Sequence, residues 1–427
     1  LPEILQKQFD DILAGRRLTA VFQPVVELVS EHIVGYEALI RGPRGSYFER
    51  PAVLFRYAYG AGRAAELDWV CRAAAFGSAL AAGLPEQFTL FVNVEPASLG
   101  TDCPPDLRGT ISRGARRLNV VLELTERYLT ADPAGILQAV RAARENGLGI
   151  AVDDVGAEPG SLSMMPLVRP DVIKLDLSLI QNKPDLLVAR TVNGVLAEVE
   201  RTNATILAEG VESKRHAATA HAMGASLGQG WLYGRPGPFP PACPTAGEHR
   251  VRVQRSATTS TTRFEAVTRH RPSRPATRQL LSSLSRHLEY RAADPAEPVV
   301  VVACFDDPKR LTAAVARRYS SIAQAAVMVA VFGVDMPVEP ARRVRGQPLA
   351  VDDPLGGEWV VVVVGAHFGA ALVAHRARPD PGGAEERPDD GPSERYDFAV
   401  TYERDLVIAA AHSLVQRVSA APRATGA

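Results

Sequence analysis

Eight short apolar runs between residues 18 and 233 each close on a carboxylate, an amide or a lysine, and no other feature limits the possible folds of this chain so tightly. In order they are TAVFQP with Gln23, HIVGYEAL with Glu37, TLFVNVEP with Asn93, VVLELTE with Glu123 and Glu126, GIAVDD with Asp153 and Asp154, VIKLD with Lys174 and Asp176, TILAEGVE with Glu209 and Glu212, and GQGWLY with Gln229. Between them lie stretches of helical spacing, Arg63 to Ala82, Ala134 to Asn146, Leu186 to Arg201 and Lys214 to Met223. Strands alternating with helices describe βα units on a largely parallel sheet. Eight units in about 220 residues close into an α/β barrel of the (β/α)8 type. Asn146-Gly147 and Met223-Gly224 stand where a helix needs a C-terminal cap before the next strand.

After Tyr233 the run Gly234 to Pro244, dense in Pro and Gly, ends the barrel pattern and marks a domain boundary. From His249 to Gln279 there are eight arginines and one acid, Glu265, with no aromatic ladder interleaved among the charges, which reads as a solvated linker with some helix rather than a nucleic-acid patch. A second unit follows. Val299 to Phe305, Ala325 to Gly333, Trp359 to Ala366 and Phe398 to Tyr402 read as strands, and Arg310 to Arg318 and Asp405 to Val418 as helices. The run Trp359 to His375, interrupted at Gly365 and Gly369, predicts a bend or a hairpin, and Pro379 to Ser393 a loop. The expected division is residues 1–240, a linker over 241–279, and a smaller α/β (α+β) unit over 280–420.

Composition narrows the function class. The 427 residues carry 48 basic and 48 acidic side chains, so bulk charge favours neither polymeric nucleic acid nor a membrane surface, and an anionic partner needs a local site. Cys71, Cys103, Cys243 and Cys304 are far apart and form no CxxC pair, which argues against a zinc site or a disulfide framework and for a reduced cytoplasm. No apolar run is long enough for a membrane span and no signal-like segment opens the sequence; Leu1 in place of Met is what a truncated or alternatively started chain would show.

In a parallel barrel the C-terminal strand ends share one face. Glu37, Asn93, Glu123, Asp153, Asp154 and Glu209 then supply five carboxylates and one amide to one bowl, a concentration of charge that calls for a cation. All-oxygen donors select Mg²⁺, Mn²⁺ or Ca²⁺, and six of them suffice for two ions about 3.5–4 Å apart, the arrangement that cleaves phosphate esters by in-line attack. Neighbours on a regular strand face opposite ways, so Asp153 and Asp154 both serve only if the strand is ending there, as Gly156 suggests. Lys174 and Asp176 alternate on one strand and form either a plain ion pair or, beside metal, a water- or phosphate-directing cation. Glu126 fits a first-turn helix position or a supporting role, and Trp231 and Tyr233 fit core or rim positions.

Glu37-Ala38-Leu39 followed by Arg41 resembles the signature of EAL domains, the cyclic di-GMP phosphodiesterases. The resemblance extends through Phe22-Gln23-Pro24, Asn93-Val94-Glu95-Pro96, Glu123-Leu124-Thr125-Glu126, Asp153-Asp154-Val155-Gly156, Lys174-Leu175-Asp176, Glu209-Gly210-Val211-Glu212 and Gln229-Gly230, over about residues 5 to 240. It implies a modified (β/α)8 barrel that hydrolyses cyclic di-GMP to linear pGpG with two ions, Mg²⁺ or Mn²⁺. By the same resemblance Glu37, Asn93, Glu123 and Asp153 hold one metal, and Asp153, Asp154 and Glu209 the other. Lys174 helps activate water with Glu209 as base, and Gln23, Leu39, Arg41, Asp176, Glu212 and Gln229 line the substrate groove. Glu126 steadies the loop after the paired aspartates, and family analogy implies a homodimer through this half. That loop, Val155 to Ser161, departs from the family's Phe-Gly-Thr-Gly-Tyr-Ser-like pattern, which leaves a cyclic di-GMP receptor of weak or no activity as the alternative. The C-terminal region resembles the DICT sensory domain through Arg318-Tyr319, Val331-Phe332-Gly333 and the strand from Trp359, and implies a regulatory module.

Overall fold

A computed structural model describes residues 2–156, 158–183, 185–240, 251, 253, 262–293, 298–377 and 395–418. Cys243, Ala157 of the divergent loop, most of the segment 241–261 and the Pro379 to Ser393 loop lie outside the described residues. The chain divides into two compact units, one of residues 1–158 and 168–256, the other of residues 159–167 and 257–427.

The first unit is a closed barrel of eight strands in sequence order: β1 Thr19–Glu27, β2 Ile33–Arg41, β3 Thr89–Asn93, β4 Asn119–Thr125, β5 Gly149–Val155, β6 Val172–Leu175, β7 Thr205–Ala208 and β8 Leu227–Gln229. The expected helices are present at Ala64–Ala81, Pro133–Glu145, Leu186–Thr202 and Lys214–Ala222. Gly147 and Gly224, just past the caps at Asn146 and Met223, take φ of +73° and +91°, the left-handed conformation that glycine adopts without penalty.

One expectation is corrected. β1 runs antiparallel to both neighbours, paired with β2 as a hairpin and with β8 at the closing seam, so its C-terminal end points away from the common mouth. Gln23 lies within β1 and Glu37 midway along β2, so neither is a strand-end residue. They face each other within the hairpin, and the reversed direction of β1 still brings Gln23 to the mouth.

A layer of apolar side chains fills the barrel: Val25, Val34, Phe91, Val121, Ala151, Val172, Leu207 and Leu227, one from each strand, joined by Val251. Side chains of a strand alternate between faces with a period of two. Two residues beyond this layer, toward the mouth, stand Asn93, Glu123, Asp153, Lys174, Glu209 and Gln229, while on reversed β1 the same step leads back to Gln23. On β2 the register irregularity at Val25/Val26 accounts for Glu37 lying three residues past Val34. A dry floor and a polar layer above it thus follow from one alternation.

The second unit is a seven-stranded mixed sheet in the order β12-β11-β10-β13-β14-β15-β9, with β9 Arg274–Thr277, β10 Val300–Cys304, β11 Met328–Val334, β12 Arg345–Leu349, β13 Glu358–Val364, β14 Gly369–Arg376 and β15 Arg395–Thr401. Every residue of β10 and β13 is buried, the pattern of central strands covered on both faces. Val301, Ala303, Val361 and Val363 pack with Leu281 and Leu288 of helix Arg278–Ala292 and with Tyr319 and Ile322 of helix Ala313–Ala325. Helix Arg404–Val415 packs on β13 and β14. The interrupted valine run is a hairpin, with Val364 opposite Gly369. From Thr262 onward the stretch expected as linker instead supplies helix Arg263–Thr268, edge strand β9 and the start of helix Arg278–Ala292. The side chains of Thr262 and Thr277 cap these two helices, and Ala276 is buried in the core.

Barrel closure depends on close backbone approach at Gly230. Val211 N–H donates to the Gln229 carbonyl at 3.0 Å, and a Cβ on Gly230 would lie 2.2 Å from the Val211 carbonyl oxygen and 2.4 Å from its nitrogen. Backbone on both sides leaves nothing to rotate away. Gly230→Ala is expected to destabilise the first unit by about 1–3 kcal/mol, read as a lower urea midpoint, whereas an unchanged midpoint would contradict this packing.

Candidate active site

A single ammonium organises the polar layer. Lys174 Nζ lies 2.6 Å from Glu123 Oε1, 2.8 Å from Asp153 Oδ1 and 2.8 Å from Glu209 Oε1, and the lysine is buried. Burial pushes its pKa down, but the charges of Asp153, Glu123, Glu209 and Glu37 outweigh this and hold it well above the ordinary lysine value, so it stays protonated. No Lys174–Asp176 ion pair forms. Asp176 instead caps helix Leu177–Gln181, accepting from Ser178 N–H at 2.8 Å.

Glu37 is held differently. Asn93 Nδ2 donates to Glu37 Oε1 at 2.8 Å and Gln229 Nε2 donates to Oε2 at 2.6 Å; Gln229 Nε2 also reaches Gln23 Oε1 at 3.3 Å, and Gln23 Nε2 donates to the Gly234 carbonyl at 3.1 Å. Burial pushes Glu37 up, yet Lys174 and the two amide donors prevail and hold it below its ordinary value. Asn93 spends its N–H₂ on Glu37, which leaves its carbonyl oxygen for another partner.

The paired aspartates reach the site through a β-bulge rather than a strand end. Val152 pairs with Ile173 and Val155 with Leu175, so Asp153 and Asp154 together oppose Lys174 alone. Asp154 takes φ of +58°, a conformation aspartate tolerates better than most side chains. As a result single oxygens of Asp153, Asp154 and Glu209 lie within 4.8 Å of one another. Gly156 follows at φ +134°, and Glu126 accepts the N–H groups of Gly156 at 3.0 Å and Glu158 at 2.9 Å while starting helix Glu126–Ala131. Both readings of Glu126 hold together, since a carboxylate at a helix start is also placed to fix the adjacent loop.

Five carboxylates against one ammonium leave the cluster short of positive charge. Burial pushes Glu123 well above its ordinary value, with Glu37 adding to the effect, and its buried Oε2 has no hydrogen-bond donor among the described residues. Burial, then the charge of Asp153, raises Asp154. Glu209 is pushed up to about 8 by burial and by Asp153 and Glu37, against the pull of Lys174. The donor set is entirely oxygen and includes an orphaned carboxylate oxygen, which fits a hard divalent cation.

Among the expected groove residues, Gln23 and Gln229 join this network. No hydrogen bond or ion pair among the described residues connects Leu39, Arg41, Asp176 or Glu212 to it; Arg41 Nη1 donates to the Ile40 carbonyl at 2.8 Å, and Glu212 is exposed. Trp231 is a rim residue, 55% exposed, with the Arg235 guanidinium 4.0 Å from its ring centre. Glu95, Tyr59, Arg127 and Tyr128 meet at the mouth beyond β3 and β4, and of these Glu95, in Asn93-Val94-Glu95-Pro96, lies closest to a ligand-type residue in the sequence. No helix among the described residues is long and apolar enough to cross a membrane.

A family model described as EAL domain matches residues 4–236, over half of the chain, and one described as a sensory domain in diguanylate cyclases and two-component systems (DICT) matches residues 259–377. The chain is 30% identical over 236 residues to the probable cyclic di-GMP phosphodiesterase PdeB of Escherichia coli K12, covering 53% of this chain and 44% of that protein. It is 30% identical over 231 residues to an uncharacterized protein of Mycobacterium tuberculosis, covering 52% and 37%. The solved Klebsiella pneumoniae BlrP1 complex with calcium and cyclic di-GMP is similar at 30% identity, over 52% of this chain and 56% of that one, with a TM-score of 0.45. The chain spans less than half the length of these curated relatives.

A raised carboxyl pKa means that the folded protein keeps a proton the unfolded chain has already released. For Glu209 that contribution is complete below the ordinary value of 4.5 and is lost as pH rises through about 8. Metal-free protein is therefore expected to melt at progressively lower temperature from about pH 5 to pH 8, with Glu209→Gln flattening the slope. A wild-type melting temperature that climbs across this window would contradict the arrangement.

Proposed function

The chain belongs to the EAL-domain family, and we propose that its barrel hydrolyses one phosphodiester of cyclic di-GMP to linear pGpG with the help of two divalent ions, Mg²⁺ or Mn²⁺. The observation that carries this reading is the oxygen-rich, charge-deficient cluster around Lys174. Glu37, Asn93, Glu123 and Asp153 would hold one ion, and Asp153, Asp154 and Glu209 the other, with Asp153 shared. When bound, the ions lower the pKa of water and offset charge on the phosphate oxygens.

The side chains divide the remaining work. Lys174, fixed by three carboxylates, points a permanent positive charge into the bowl, where negative charge grows as water adds to phosphorus. Glu209 is the candidate base: it is the most accessible of the three lysine partners. It takes a proton from the attacking water as the new P–O bond forms, and the departing ribose oxygen gains one. Gln23 and Gln229 orient Glu37 and border the groove. Leu39, Arg41, Asp176 and Glu212 extend that groove, with the planar fork of Arg41 suited to a phosphate or a guanine. The action belongs in the cytoplasm, and the second unit acts as a sensory regulator.

A receptor that binds cyclic di-GMP without cleaving it is the second reading. It is favoured by Glu158 and Pro159, which stand in the loop held by Glu126 where the family pattern has glycine and tyrosine. One experiment separates the two: pure full-length protein with cyclic di-GMP and Mg²⁺ or Mn²⁺, read beside a binding isotherm. Release of pGpG is expected, with Glu37→Ala and Lys174→Met each lowering kcat by about 10²-fold or more. Tight binding without turnover would favour the receptor, and neither binding nor turnover would remove both. A homodimer through the barrel half is also proposed; light scattering is expected to give twice the chain mass, and a monomer mass would remove it.

A further inference from the structure

The rim beyond β3 and β4 holds side chains to which the chemistry above gives no task. Glu95 stands two residues past Asn93, and its backbone N–H donates to Asp68 Oδ1 at 3.0 Å. Its Oε2 accepts from Tyr59 Oη at 2.6 Å and from Tyr128 Oη at 3.2 Å, whereas Oε1 carries no hydrogen bond among the described residues. The Arg127 guanidinium lies 4.8 Å from the centre of the Tyr128 ring and donates to its hydroxyl at 3.0 Å. Tyr59 is 48% exposed and Arg127 is exposed.

The expected groove residues lie on β1 and β2 or follow β6, β7 and β8, and in the closed eight-stranded order the loops after β3 and β4 stand across the mouth from the ends of β7 and β8. A cyclic dinucleotide carries two identical bases at its two ends. A groove that seats one base beyond β6 to β8 leaves the other toward the β3 and β4 loops. Resting on the cyclic di-GMP reading, we propose that Glu95 and Tyr59 seat this second guanine: the Glu95 carboxylate accepts from its N1–H and exocyclic amine, and the exposed ring of Tyr59 packs on the base. The Watson–Crick edge of guanine sets two donors side by side, and a carboxylate is an acceptor pair of matching width. Adenine offers an acceptor at N1 and is rejected. The tyrosine hydroxyls fix the plane of the carboxylate beforehand, and Arg127 lends positive charge at the mouth, where the ligand's phosphates enter.

The same bonds also tie helix Pro51–Gly60, the β3 loop and helix Glu126–Ala131 together, so the test must distinguish recognition from support. Binding of cyclic di-GMP and of its inosine analogue, which lacks the exocyclic amine, is measured by calorimetry on EDTA-treated full-length wild type and Glu95→Gln, with melting temperatures recorded for both. The expected result is that wild type prefers cyclic di-GMP by about tenfold or more, and that Glu95→Gln loses that preference by weakening cyclic di-GMP far more than the analogue. Equal weakening of both ligands, or an unchanged preference, overturns the assignment while leaving the parent reading intact. A wild type that binds neither ligand also overturns the assignment, and the turnover assay with Mg²⁺ or Mn²⁺ decides the parent reading separately.

Discussion

Everything at the mouth of the barrel depends on the ammonium of Lys174. Carboxylates brought as close as Glu123, Asp153 and Glu209 repel one another strongly in a site from which water is excluded, and the buried lysine is what lets the apoprotein assemble them. One positive charge does not neutralise five acids. The deficit appears as protons held unusually tightly by Glu123, Asp154 and Glu209, and on the proposed reading those are the places where a divalent ion would displace a proton. Stability without metal and affinity for metal are therefore two expressions of one imbalance.

The barrel brings these groups together by a few departures from regularity. Strand alternation alone carries Asn93, Glu123, Asp153, Lys174, Glu209 and Gln229 above the apolar layer. Asp154 needs the bulge, and Gln23 needs the reversal of β1. Both irregularities are local: two residues opposite one, and a hairpin in place of a crossover. Each adds a ligand-type side chain without disturbing the floor below.

Much of this was legible in the sequence, because the polar ends of apolar runs report the alternation directly and helix caps report the helix boundaries. Asn146-Gly147 and Met223-Gly224 mark such ends in the sequence and in the structure alike. Strand direction was not legible, since TAVFQP reads equally well in either sense and only its partners decide. The bulge escaped for a related reason: periodicity cannot report where a register slips. In the second unit the valine-rich strands stood out, whereas β9 and β12 did not, because Arg-Pro-Ala-Thr and Arg-Gly-Gln-Pro-Leu have neither the alternation nor the apolar density of a strand. Edge positions demand less of a sequence, and these two strands are the edges. At the site, bare residue types could suggest ligands, but the joining of Glu95 to two tyrosines from distant segments exists only in three dimensions.

The seam that closes the barrel gives the chain a timetable. β1 and β2 form a long local hairpin, whereas β1 meets β8 over only three residue pairs, and the bond from Gln229 to Glu37 joins residues 192 positions apart. During synthesis the hairpin emerges early, with one edge unpaired until β8 leaves the ribosome. The acidic bowl is thus completed last, when a strand of three residues, Leu227–Gln229, slides into place. A nascent chain can form most of its hydrophobic floor long before it has a closed mouth, so the polar network around Glu37 arrives late and all at once.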